Sequence, residues 1–147
     1  MQTSLEALLN GMEYRRLFEH ETQCIQKQYK LCKIDIYILS YLDQAKEKNT
    51  PRDILASQMF TRGHISQSIK RLSNLNFIRT LPDEKDRRVF HCILTKKAEK
   101  VLIQVKDVMN ELEEQLFKSV TQEEKALFLN LAYRINRNMV NELVRGN

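Results

Sequence analysis

Apolar residues recur at spacings of three and four over most of the chain, the pattern of helices that each bury one face. Leu5, Leu8, Leu9 and Met12 predict a first helix, with Leu17 and Phe18 extending it, and Ile34, Ile38, Leu39 and Leu42 predict a second near Asp35. The polar run Gln44 to Asn49 reads as the loop that follows. Thr50-Pro51-Arg52-Asp53 then has the chemistry of a helix start, with a capping Thr, Pro at the first helical position and an acid where a capping box needs it. The short helix it opens carries Ile54, Leu55, Ala56 and Met59. After Phe60, Thr61 can cap a further helix in which Ile65, Ile69 and Leu72 face inward. Two short helices joined this tightly predict a helix-turn-helix.

Asn76 is placed to end that helix, since Asn follows Gly in tolerating the left-handed conformation. The period then changes. Phe77 to Leu81 and Val89 to Leu94 are rich in β-branched and aromatic residues, and the polar stretch Pro82 to Arg88 separates them, predicting a hairpin with a charged tip. Thr95 is expected to cap a long helix with Ala98, Leu102, Val105, Met109, Leu112 and Leu116 on one stripe. Thr121-Gln122-Glu123-Glu124 reads as a capping box opening a last helix with Leu127, Phe128, Leu131, Ile135 and Met139. Neither of these two helices can bury its stripe alone. The expected fold class is mainly α with a small β-hairpin, in one domain.

Composition narrows the function classes. The glycines, Gly11, Gly63 and Gly146, are isolated, so no phosphate-cradling G-x-G-x-x-G or G-x-x-x-x-G-K loop can form. The start of the chain lacks a basic segment followed by an apolar run, and no membrane-length apolar stretch occurs, so a cytoplasmic protein without a membrane partner is expected. The formal net charge is +5, and its position matters more than its size. Residues 52–100 hold 11 Lys or Arg against 5 Asp or Glu, whereas the rest of the chain holds 13 against 14. The whole cationic excess falls on this one stretch, which holds the helix-turn-helix, the hairpin and the first turn of the helix after it, as expected of a polyanion-binding module on a neutral scaffold.

With Ile65, Ile69 and Leu72 turned inward, the opposite face of their helix carries Gly63, His64, Gln67, Lys70 and Arg71, following Arg62. Gln pairs with adenine, Arg with guanine and Lys with phosphate, while Gly permits close approach to a duplex. The hairpin tip holds Lys85, Arg87 and Arg88 within four residues, suited to a minor groove beside the helix. Asp86 is expected to accept hydrogen bonds from a neighbouring Arg or from loop amides, fixing the arginine that inserts.

Asp83-x-Lys85-Asp86-Arg87-Arg88 followed by Leu94-Thr95 resembles the wing motif and helix opening of the MarR family of bacterial winged-helix transcription regulators. Leu55-Ala56, the helix from Arg62 to Leu75 and Asn76-Phe77-Ile78 are similar as well, so the likeness extends over essentially the whole chain. Lys85 stands for an Arg of the motif, Asn76 for a Gly and Ala98 for another Gly; Lys85 keeps the charge and loses the bidentate fork. The resemblance implies a winged helix-turn-helix lobe at about 34–95, with dimerisation helices at about 1–30 and 96–147. It further implies an obligate homodimer on a pseudo-palindromic double-stranded DNA operator, repression as the commoner mode, a small-molecule effector of unknown identity, and Arg88 as the minor-groove residue.

Other chemistries find less support. Single-strand RNA binding calls for aromatic platforms, and Phe60, Phe77 and Phe90 all sit at positions expected to be core. His20, His64 and His91 are scattered with no matched nucleophile, so no enzyme is expected, and no cofactor. His20 and Cys24, one turn apart beside Glu19 and Glu21, have a metal-compatible spacing without further ligands, so no metal site is assigned. Cys24, Cys32 and Cys92 form no C-x-x-C. A thiol-based redox sensor using Cys24 or Cys32 is the alternative regulator; Cys92, on the Phe90/Leu94 face, is less suited. The family's hydroperoxide-sensing branch places its cysteine in the first helix, upstream of Cys24, where this chain has none. A helical adaptor is the alternative outside DNA binding, and it leaves the cationic hairpin unexplained.

Overall fold

The computed structural model describes residues 11–57 and 60–146, which form seven helices and one two-stranded antiparallel sheet. In chain order these are α1 (Met12–Glu21), α2 (Gln23–Tyr29), α3 (Lys33–Ala45), α4 (Pro51–Ala56), α5 (Arg62–Asn74), β1 (Ile78–Pro82), β2 (Phe90–Leu94), α6 (Lys96–Leu116) and α7 (Gln122–Arg145). Leu5, Leu8, Leu9 and Met59, expected on apolar stripes, lie outside the described residues. The chain divides into two compact units, Met1–Asn110 and Glu111–Asn147. The boundary falls inside α6 rather than at its start, because Ala98, Val101, Leu102 and Val105 are buried in the first unit.

In the first unit α3 is central, with Ile36, Ile38 and Leu39 almost wholly inaccessible, and α5 packs on it through Ile65, Ile69 and Leu72. Thr50 and Asp53 start α4 as a reciprocal box: Thr50 Oγ1 accepts from the Asp53 amide at 3.2 Å, and Asp53 Oδ2 accepts from the Thr50 amide at 3.1 Å. Thr61 Oγ1 accepts from the His64 amide at 3.3 Å and starts α5. A cap of this kind stabilises a helix by about 1 kcal/mol.

At its other end α5 closes in a Schellman turn. Phe77 N–H donates to Leu72 O at 2.9 Å and Asn76 N–H to Ser73 O at 3.1 Å, with Asn76 left-handed at φ 64. Phe77 thus belongs to the helix end, so β1 begins one residue later than its β-prone run suggests. Thr95 is not used as a cap: its hydroxyl donates to Asn76 O at 2.6 Å and Phe77 O at 3.1 Å, and Lys97 Nζ reaches Leu75 O at 2.7 Å. The start of α6 therefore satisfies carbonyls left open where α5 stops.

The strands pair from Ile78 with Leu94 to Pro82 with Phe90. Ile78 and Cys92 point into the core, whereas Phe90, expected there, is exposed because it lies at the open end of the ladder. The helix Gln23–Tyr29 escaped the pattern reading, since Ile25 is its only buried side chain. In the second unit Thr121 and Glu124 form the expected capping box, and Phe117 meets Phe128 edge to face. The expected stripe of α7 is exposed along its whole length.

Candidate nucleic-acid interface

The N-terminal turns of α5 present Arg62, Gly63, His64 and Gln67 to solvent, followed by Lys70, all exposed. Gly63, His64, Gln67 and Lys70 fall opposite Ile65, Ile69 and Leu72, as the helical period requires, while Arg62 lies one turn before Ile65 at the edge of that face. Among the described residues a Cβ at Gly63 would meet no neighbouring side chain within 4 Å, and its backbone is ordinary helix, so none of them calls for glycine there.

Arg71 is placed differently from the other members of the expected face. Its Nε donates to Asp35 Oδ2 and its Nη2 to Asp35 Oδ1, both at 2.8 Å, and Asp35 is fully buried. Hydrogen bonding to this carboxylate, against the cost of desolvation, raises the guanidinium's pKa further. The bidentate pair draws the Arg71 guanidinium onto Asp35 of α3 and leaves the side chain half-buried.

The tip of the hairpin is held by two aspartates. Asp83 Oδ2 accepts from the amides of Lys85 and Asp86, each at 3.0 Å, while Asp83 Oδ1 accepts from His91 Nε2 at 2.8 Å. The His91 contact first, then the two amides, lower the Asp83 pKa from 3.8 to about 2. His91 Nδ1 lies 2.6 Å from Asn49 Oδ1, and the Cys92 amide donates to Asn49 O at 2.9 Å, so the hairpin root is tied to the loop before α4. Asp86 Oδ1 accepts from both the amide (3.0 Å) and the Nε (3.1 Å) of Arg88, while the Arg88 side chain stays 91% exposed. Lys85 and Arg87 are exposed beside it. Sequence reasoning missed His91 and Asn49, whose pairing spans 42 positions and leaves no local signature.

Between α4, α5 and the hairpin runs a groove of about 850 Å³, lined by Leu55, Ile65, Ile69 and Phe90 with the cations Arg52 and Lys70. Cys24 and Cys32 are exposed, and Cys92 is buried, its thiol pushed up to about 11 by desolvation. His20 pairs with Glu21 at 3.2 Å, and among the described residues no three His, Cys, Asp or Glu side chains gather to hold a metal ion. No described helix is long and apolar enough to cross a membrane.

Two tightly joined helices, the second with a polar outer face, and an adjoining hairpin with a cationic tip define a winged helix-turn-helix protein. A family model described as transcriptional regulator SarA/Rot matches residues 21–105, and the chain belongs to that family of transcriptional regulators. No curated protein sequence matches it. Its fold is that of MarR-type regulators: a crystal structure of MarR superposes with a TM-score of 0.78 at 19% identity, covering 98% of this chain and 96% of that one. A mutant MarR from E. coli complexed with operator DNA gives 0.68 at 19% identity over 89% and 90% of the two chains. The S. aureus MepR–DNA complex gives 0.69 at 19% identity over 92% and 99%.

Proposed function

We propose that the protein binds a pseudo-palindromic double-stranded DNA operator as a homodimer, with α5 in the major groove and the hairpin wing in the adjacent minor groove. The observation that carries this reading is the state of Arg88: almost fully exposed, at the tip of a projecting arm, with its guanidinium and amide both held by Asp86. A cation fixed in this way has already lost much of the rotamer freedom that insertion into a groove would cost. The exposed row Arg62, Gly63, His64, Gln67 and Lys70 supplies base and phosphate contacts beside it, with Lys85 and Arg87 on the flanking backbone. Two wings and two reading helices related by a two-fold axis would meet successive grooves about 34 Å apart.

Occupancy of a promoter by such a dimer excludes polymerase, and repression is the outcome proposed. The groove between α4, α5 and the wing, apolar with cations at its rim, suits a small amphipathic anion as the relieving effector. Its occupant would sit against the same Arg62 and Lys70 that face the DNA. Arg88→Ala is the test: operator affinity, read by mobility shift on a duplex selected with the wild-type protein, is expected to fall about 10- to 100-fold, as for loss of a contact worth about 1–3 kcal/mol. The slope of log affinity against log salt should shrink by about 1. Unchanged affinity and slope would overturn the proposal.

A further inference from the structure

Asp35 is a buried carboxylate with four hydrogen bonds. Oδ1 accepts from Ser68 Oγ at 2.5 Å and Arg71 Nη2 at 2.8 Å; Oδ2 accepts from the Cys32 amide at 2.7 Å and Arg71 Nε at 2.8 Å. The Cys32 contact is the ordinary work of an acid at the third position of a helix. The other three reach α5 across the core. Ser68 and Arg71 are one turn apart on α5, so gripping both fixes the rotation of that helix about its axis. The same grip removes a cation. Arg71 borders a surface hollow with Lys30, Gln67 and Lys70, and its charge there is cancelled by a carboxylate that solvent does not reach.

From this arrangement we infer that Asp35 is a positioning and specificity-determining residue for DNA recognition: it orients the reading face of α5 and withholds Arg71 from the phosphate backbone. The inference rests on the DNA-binding reading above. Sequence-independent affinity grows with each cation that reaches phosphate, by about 0.9 in the salt slope, whereas operator affinity depends on the angle at which Gln67 and its neighbours meet base edges. A helix-borne Arg left free would strengthen binding to every duplex alike. Tying it to Asp35 lowers that background and turns its geometry to orientation.

The test compares wild type, Asp35→Asn and the double variant Asp35→Asn with Arg71→Gln on two duplexes, a selected operator and a scrambled one, across a salt titration, with circular dichroism as the check on folding. Asp35→Asn keeps the size of the side chain and releases Arg71. Its affinity for scrambled DNA is expected to rise several-fold with a slope steeper by about 1, while operator affinity falls, so that discrimination drops at least about tenfold. In the double variant no unpaired charge is left behind, and the scrambled-DNA slope should return to that of wild type. A double-variant slope shallower than wild type by about 1 would mean that Arg71 already touches phosphate, and would overturn the inference even if the single variant does not fold. Equal losses on both duplexes would reduce Asp35 to a stability role and also overturn it. Failure of the wild-type protein to bind either duplex is the separate outcome that removes the DNA-binding reading itself.

Discussion

Single residues on the outer face of α5 separate the demands of folding from those of binding. Gly63 is the sharpest case, because it lies in the first turn of a helix whose packing leaves open space where its Cβ would be. Glycine in a helix costs up to about 1 kcal/mol relative to alanine, so folding alone would favour replacing it. Gly63→Ala is therefore expected to leave the unfolding midpoint unchanged or raise it by a few degrees, while operator affinity falls, since a methyl group intrudes between backbone and duplex. Thermal unfolding and mobility shift on the same preparation check this, and a variant that binds as tightly as wild type would remove close approach as the reason for the glycine. Most residues of this row are legible from a helical wheel alone. Arg71 is the exception, because a wheel gives direction and not partners, and its partner Asp35 lies 36 positions away.

At the scale of the element, the tip of the wing is held by ionised Asp83. Its pKa is lowered from 3.8 to about 2, so the contacts it makes with His91 and the Lys85 and Asp86 amides contribute fully above pH 4. They are lost as the pH falls from about 4 toward 2 and the carboxylate protonates. The protection factors of the Lys85 and Asp86 amides, exchange rates taken relative to an unstructured peptide at the same pH, should fall over that interval. Asp83→Asn should show the lower protection already at neutral pH, with operator affinity lower by about three- to tenfold because the tip no longer presents Arg88 in one place. Exchange that is the same in both proteins at pH 7 would show that the tip is held by something else. The elements themselves are largely legible: Thr50 to Asp53, Thr61 and Thr121 to Glu124 are caps whose chemistry lies within four residues, and Asn76 ends α5 as its left-handed tolerance predicts. What escapes is whatever a distant segment decides. Thr95 has the composition of a cap and instead turns its hydroxyl to carbonyls 18 and 19 positions earlier, and Phe90 looks like core yet is exposed where the ladder ends.

For the whole molecule, the proposed two-fold site requires a dimer, and α7 carries the means. Among its described residues none is buried, and Leu127, Leu131, Ile135 and Met139 recur at every fourth position with Phe128 and Leu143 beside them, all more than a third exposed. A solitary apolar residue on a surface is ordinary, but a row along 24 residues of helix is a face that awaits a partner. A second copy of the same helix offers a match of equal length and pattern, and in a two-fold interface every substitution acts twice. Full burial of one such side chain contributes roughly 1.5–3 kcal/mol, so replacing two of them with carboxylates in each protomer removes several times that amount and sets like charges against each other across the axis. The double variant Leu131→Glu, Ile135→Glu is expected to sediment as a monomer at concentrations where wild type is a dimer, with its helix content retained. Operator affinity should collapse by two or more orders of magnitude, since each half-site must then be bound without the effective concentration that linkage provides. A variant that remains dimeric would place the interface elsewhere, and one that is monomeric yet binds the operator at wild-type affinity would show that a single helix-turn-helix and wing suffice.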